Sequence, residues 1–536
     1  MKLKAFLRQI KQANSSLEMV QLSLKQNGNV KKLLAALNDE TNVGCQNISE
    51  LDLSGSKLTD DDIETLVKTL NKFPNIKTLR LDNCAITDDH TLRHLIELEH
   101  VTRLSLKSNL LGTRPTFNKG LKALYLDDNP NLKVKSALLR FSTYATKLEV
   151  LSLNQCDVND DDLNFIMRKG SHLKTLKQLH LHENKLSSIG VLCLTEMNLL
   201  EVLDLGKNNQ IGDYGISKLQ CPVLRTLDIE GCNLSPHVFE SLEAMTKLRT
   251  VNLSYNPALK SYEKADAKSN RLEQIKKVKL NFCQLNNDHA PLLTALFPNL
   301  THLEVANNQL THVGVEDLLI IEHLQSLDVS TNSMFSILSA ISQKAPRANK
   351  TIAVEKAKIE ELLLSVSQAK KLIHINLSGT GLPDDMLPSF IPAEGSARKL
   401  RSINGIPCVE LKDVLKQREE AKKNALAAQA VAASSASADG VVEIEAKPSK
   451  GAQIKTLKAQ VKDLKAQLAE AKATITQLQG AKLSDVPHEQ GRVLKQVAQL
   501  ETKVSTQSMF ASTARKSKQE KAVTNANVIA ESSFSS

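Results

Sequence analysis

Branched aliphatic residues recur along this chain in a single register: Leu51, Leu79, Leu104, Leu124, Leu151, Leu179, Leu203, Leu227, Val251, Val278, Leu303, Leu327, Ile352, Ile375 and Ile403. The steps between them run from 20 to 28 residues. A fixed period of that length predicts stacked supersecondary units, because one such unit cannot bury its apolar face alone. Each unit opens with an alternating segment such as Leu227-Asp228-Ile229. Period-two alternation reads as a strand with one buried face. Five residues past the register position stands Asn or Cys: Cys84, Asn109, Asn129, Cys156, Asn184, Asn208, Cys232, Asn256, Cys283, Asn308 and Asn332. An Asn amide both donates and accepts, so it suits main chain turning away from a strand. A small, buried, weakly donating Cys fills the same slot.

The longer units continue with a helical pattern. Thr59 followed by Asp60, Asp61 and Asp62 suits a helix N-terminus, by capping and by opposing the helix dipole. Ile63, Leu66, Val67 and Leu70 then share one stripe. Asn159 and Asp160 repeat the device. Strands on one face and wider helices on the other predict an α/β solenoid, a horseshoe with a parallel sheet on its concave side. These segments resemble the ribonuclease-inhibitor-like class of leucine-rich repeats, over roughly residues 48 to 410. The resemblance implies recognition of a protein on the concave face and leaves the partner unnamed. Several units are short for that class, so their convex segments are expected to be short helices or extended loops.

The expected organisation is an N-terminal helical cap over 1–47, with Leu33, Leu34 and Leu37 on amphipathic helix, and the solenoid over 48–399. A C-terminal cap and helix take 400–426, where LRSINGIPCVEL departs from the repeat, and a small-residue linker follows over 427–450. Over 451–482 the period changes to heptads, with Ile454, Val461, Leu468 and Ile475 at a, and Leu457, Leu464, Ala471 and Leu478 at d. Such a seam favours a parallel two-stranded coiled coil. Lys458, Lys465 and Lys472 at e face no acidic g residue, so an acidic partner helix competes with a homodimer, and packing on the chain's own surface remains open. A short helix and a disordered stretch are expected over 483–536.

The formal net charge is +10, and 451–536 carries 13 Lys plus Arg against 7 Asp plus Glu, a net of +6. More than half of the excess is thus local to the tail, and no specific nucleic-acid motif accompanies it. Lys4, Arg8 and Lys11 interrupt the first segment, so neither a secretory signal nor a transmembrane segment is expected. Four of the eight Cys occupy one repeat slot, which reads as packing in a reducing, cytoplasmic setting rather than as a disulfide framework. The close, AESSFSS with Phe534, together with the repeats, resembles type IV secreted leucine-rich-repeat effectors of Legionella and Coxiella. That resemblance implies virulence and delivery from a bacterium into a host cell as the alternative location.

No phosphate loop, nucleophile elbow or zinc-protease motif is present. Cys408 precedes Val409 and Glu410, so the Cys-x-Asp motif of repeat-linked ubiquitin ligases is missing too. No enzyme, cofactor or metal site is therefore expected; His180, His182 and Asp204 read as solvated groups on an exposed strand face. The outward strand residues define the candidate partner-binding face. Arg80, Arg103 and Lys107 make its early part basic, with Tyr125 as an aromatic anchor. His180, His182, Asp204, Asp228 and Glu230 follow at the centre, and Glu304 and Asp328 beyond.

Overall fold

The computed structural model describes residues 3–11, 19–22, 27–39, 42–87, 94–112, 118–137, 147–169, 174–263, 271–335, 346–393, 396 and 399–435. The chain divides into two compact units, Met1–Lys422 and Lys423–Ser536. The described part of the second unit ends at Ser435 and is helical throughout. The expected coiled-coil seam (Ile454, Leu457, Val461, Leu464, Leu468, Ile475, Leu478) and the C-terminal signal lie outside the described residues.

The first unit is built on one sheet whose strands lie in sequence order, β1 to β16. β1 is Met19–Gln21, β2 Glu50–Asp52, β3 Thr78–Arg80, β4 Arg103–Ser105, β5 Ala123–Tyr125, β6 Val150–Ser152, β7 Gln178–His180 and β8 Val202–Asp204. β9 is Thr226–Asp228, β10 Thr250–Asn252, β11 Lys277–Lys279, β12 His302–Glu304, β13 Ser326–Asp328, β14 His374–Asn376, β15 Ser402–Ile403 and β16 Ile406–Pro407. All pairings from β1 to β15 are parallel, and register residues oppose one another, as Leu79 with Leu104 and Val251 with Val278. The register residues from Leu51 to Leu327, and Ile375 and Ile403, are buried because their face meets the helices and turns of the other layer.

The Asn and Cys side chains knit neighbouring units together. Asn256, fully buried, accepts from the Leu234 amide (3.0 Å) and donates to the Ile229 and Leu253 carbonyls (3.0 and 2.9 Å). Asn332 and Asn208 repeat this arrangement. At the Cys units the thiol donates back instead, Cys232 to Leu205 O at 3.2 Å and Cys283 to Leu253 O at 3.3 Å. Main-chain groups that the turn leaves without ladder partners are thereby satisfied, as buried polar groups must be.

The convex layer starts with α1 (Leu3–Gln9), α2 (Asn27–Asn38) and α3 (Asp60–Leu70). Thr59 and Asp62 form a reciprocal capping box on α3, and Ile63, Leu66, Val67 and Leu70 are its buried face, as the sequence predicts. On α4 (Asp160–Lys169), Asn159 and Asp162 make the same reciprocal bonds. The next helices are short: α5 (Ser188–Leu192), α6 (Gly212–Ser217), α7 (Val238–Glu243), α8 (His289–Leu296) and α9 (His312–Leu319). Their N-termini are stitched together. Asp213 accepts from the Ser235 amide and hydroxyl, and Asn287 accepts from the Thr311 amide at 2.8 Å while donating to its hydroxyl.

Three expectations change, and one feature of the C-terminal cap is added. Ile352 does not open a repeat: it lies within α10 (Pro346–Gln368), and β13 pairs directly with β14, Leu327 opposite Ile375. Ile359, Leu362 and Val366 on that helix are buried at helical spacing, a pattern that a strand would not produce. The first 47 residues are not wholly helical, since β1 extends the sheet with Val20 opposite Leu51. Phe6, Ile10, Leu33, Leu34 and Leu37 are buried there. At the other end, β15 and β16 form an antiparallel hairpin across Asn404 and Gly405, both with positive φ (53° and 75°). That is the backbone a type I′ turn requires. Beyond it, α11 (Leu411–Ser435) runs past 426 into the stretch expected to be linker.

Candidate functional site

Strand pairing sets the last residue of each strand in one row across the sheet: Arg80, Ser105, Tyr125, Ser152, His180, Asp204, Asp228 and Asn252, each opposite the next, with Ser105 and Ser152 buried between larger neighbours. Lys279, Glu304, Asp328 and Asn376 continue it.

The early basic residues are mostly engaged within the chain. Arg80 Nε lies 2.8 Å from Glu50, and Lys107 Nζ 2.6 Å from Asp127. Arg103 is exposed at the start of β4. Lys107 also sits over the Tyr125 ring, 5.1 Å from its centroid, so the expected aromatic anchor is half-buried beneath a cation of its own chain. Asp127 is buried, accepting from Ser152 Oγ and from the Asn154 amide. Further along, Glu304 pairs with Lys279 (3.2 Å), and Asp328 accepts from Asn376 (2.9 Å).

The centre is different. His182 Nδ1 lies 3.4 Å and His180 Nδ1 3.8 Å from the Asp204 carboxylate, and His182 Nε2 lies 4.0 Å from Glu230. Asn252 donates to both Asp228 (2.8 Å) and Glu230 (2.9 Å). Among the described residues no Lys or Arg comes within ion-pair distance of Asp204, Asp228 or Glu230. Burial pushes the Asp228 carboxyl up, and the neighbouring Asp204 and Glu230 charges add to that, against the Asn252 bond. Burial also opposes ionisation of Asp204, but the bonds from His180, His182 and the Gly206 amide outweigh it and hold that carboxyl well below the usual range. The Asp204 bond raises His182 against its own burial.

Gly206 has a steric role that sequence reasoning passed over. A Cβ there would stand 2.5 Å from His182 Nδ1, so only glycine leaves room for this ring beside Asp204. The bridging role of Asn252, which donates to both carboxylates, was also missed. Among the described residues no group of three or more His, Cys, Asp or Glu is arranged to hold a metal ion, and no helix is long and apolar enough to cross a membrane. The row is a polar strand face whose centre groups the Asp204, Asp228 and Glu230 carboxylates.

Comparison with known proteins gives short, separate matches. The family described as Leucine Rich repeat matches residues 44–67, 196–219 and 298–319. An internalin of Listeria monocytogenes aligns at 19% identity and a TM-score of 0.38, over 64% of this chain and 91% of that one. A chain of the yeast Rad7–Elc1 complex aligns at 18% identity and a TM-score of 0.37, over 57% and 74% respectively. With its register, its parallel sheet, its Asn and Cys ladder and the three family matches, the first unit has the leucine-rich-repeat fold, a fold that generally serves as a scaffold for protein–protein interaction.

Proposed function

We propose that this chain is a non-enzymatic interaction scaffold that docks a basic segment of a protein partner on the centre of its concave sheet. The observation that carries the reading is the cluster of Asp204 and Asp228 on adjacent strands with Glu230 just past the second, which lacks a Lys or Arg partner among the described residues. The flanking row supplies the contrast, since Arg80, Lys107 and Lys279 are each paired with a carboxylate. Grouped carboxylates on a fixed surface attract a basic partner and reject an acidic one. The Asn and Cys alternation favours the ribonuclease-inhibitor-like class within the repeat fold. Self-association through the heptads of 451–482 would add avidity by raising effective concentration.

Affinity capture with the full chain tests this reading against the Asp204→Asn/Asp228→Asn double variant. Asparagine keeps an oxygen for the Gly206 and Glu230 amides and removes the charge. Loss of the captured basic partners is expected, and an unchanged set overturns the reading. A second reading, a translocated bacterial effector engaging a host protein through the same face, rests on the Ser-rich close around Phe534. Delivery that survives removal of 517–536 would defeat it.

A further inference from the structure

Four residues past each buried strand position, the main chain turns left-handed: φ is 55° at Gln155, 54° at Glu183, 57° at Lys207, 59° at Gly231 and 58° at both Tyr255 and Phe282. Side chains at these positions form a second row beside the concave face, and neighbours in it hold one another. Gln155 donates to Glu183 (2.9 Å), and Lys207 Nζ lies 3.7 Å from Glu183. Tyr255 and Phe282 stack with centroids 4.4 Å apart and planes 14° from parallel. Between Lys207 and Tyr255 the row is broken by Gly231. A Cβ there would meet Lys207 Cγ at 3.6 Å and Tyr255 Cβ at 3.8 Å, both ordinary contact distances. The break is therefore one side chain wide.

Two features of this break point to an occupant. Large aromatic residues are outliers in left-handed backbone, where Asn or Gly is at ease. Tyr255 and Phe282 are nevertheless placed there, and are 48% and 41% exposed. Phe282 covers one face of Tyr255, and Gly231 is the next position of the row on the other side of Tyr255. The Lys207 stem and the Tyr255 Cβ stand on the two sides of the open position, each at ordinary contact distance from a Cβ on Gly231. Next to the break in sequence and on the sheet stand Glu230 and Asp228, the carboxylates that lack a Lys or Arg partner among the described residues.

We propose that the break over Gly231 is an anchor pocket for one aromatic side chain of a protein partner, flanked in that partner by Arg or Lys that meet Asp228 and Glu230. This rests on the acidic-face reading above and adds the anchor and the sequence chemistry of the partner. Exposed aromatic surface beside a charged patch is the composition of binding hot spots.

The chain contains no tryptophan, so indole emission from a peptide reports binding without background. The probes are acetylated Gly-Arg-Trp-Arg-Gly and Gly-Glu-Trp-Glu-Gly, with Gly-Arg-Ala-Arg-Gly as competitor, titrated against the full chain. The arginine–tryptophan peptide should bind with a blue-shifted emission, the glutamate peptide should not, and the alanine peptide should compete poorly. Tyr255→Asn, which relieves the backbone and removes the ring, should weaken binding roughly two- to tenfold without lowering the urea midpoint. Gly231→Asn, which fills the break, should act likewise. Full-strength binding by both variants overturns the anchor; if Asp228→Asn still weakens binding, the acidic-face reading survives that failure. If Asp228→Asn is also silent, both readings fall. Absence of binding to the unmodified chain overturns the anchor as well.

Discussion

The buried asparagine ladder carries a measurable share of the stability, and Asn256→Ala isolates one rung. Four contacts vanish: the Leu234 amide loses its acceptor at 3.0 Å, and the two amide hydrogens no longer reach the Ile229, Leu253 and Ser254 carbonyls at 3.0, 2.9 and 3.1 Å. Asn256 is fully buried, so water cannot replace the amide without opening the joint between units. An orphaned buried donor costs about 1–3 kcal/mol, and each lost carbonyl bond about 1 kcal/mol. The expected loss is about 3–5 kcal/mol, at the upper end for a single substitution. Asn256→Cys should fall between, because a thiol can still donate, as Cys232 does to Leu205 O. The assay is urea unfolding followed by circular dichroism, with hydrogen exchange across the segment containing Leu234. In a solenoid the damage is expected at the joint between neighbouring units first. Lys207→Ala is the control, since it removes only an exposed pair at 3.7 Å from Glu183. An Asn256→Ala midpoint equal to that of the control, with Leu234 equally protected, would refute the argument.

The convex stitching predicts that Gly314→Ala destabilises by about 1–3 kcal/mol. The new Cβ would stand 2.6 Å from Asn287 Oδ1, the atom that holds the Thr311 amide, so thermal unfolding should shift down. Thiol accessibility should sort by slot. Burial pushes the thiols of Cys84 up to about 11 and of Cys156, Cys232 and Cys283 up to about 12, so these four should resist Ellman's reagent until the chain unfolds. Half-buried Cys193 and Cys408 should react first in the native protein, and fast modification of Cys232 would contradict the ladder.

Much of this architecture is readable from residue type alone, and the exceptions have physical causes. The register, the outward row and the Asn and Cys slot follow from strands three residues long, whose central side chain must be buried. Thr59 and its aspartates announce α3 because capping is local chemistry. The false unit at Ile352 carried its own warning: five residues on stands Ala357, which has no group to satisfy the turn. Asn404-Gly405 is a strong hairpin signal that a search tuned to the repeat passes over. Cross-strand pairing was harder to foresee. Arg80 and Lys107 read as free positive charge until the sheet sets Glu50 and Asp127 beside them. The left-handed row was hidden for another reason: Tyr255, Phe282 and Thr331 give no hint of positive φ by their chemistry.

His182, beside the acidic centre, ties stability and binding to pH with opposite signs. His182 is raised by its bond to Asp204, so its share of stability is complete below its unfolded value of about 6.5 and is lost as pH rises through the folded value. Asp204 is held low against its burial by His180, His182 and the Gly206 amide. Its share is present above the unfolded value of about 3.9 and is lost as pH falls through the folded one. The pair therefore stabilises most in the mildly acidic window between those two unfolded values. Melting temperature against pH, from about 4.5 to about 8, should show the wild type gaining on His182→Gln as pH drops toward 6, and parallel curves would sink the assignment. Binding of a basic peptide should run the other way. Protonated His182 lies 3.4 Å from Asp204 and 4.0 Å from Glu230 and cancels part of the charge that attracts the partner. Deprotonation uncovers that charge, so affinity should climb through the pH range in which the His182 contribution to stability is lost. His182→Gln should flatten both trends at once, which an unrelated titrating group elsewhere in the chain would not do.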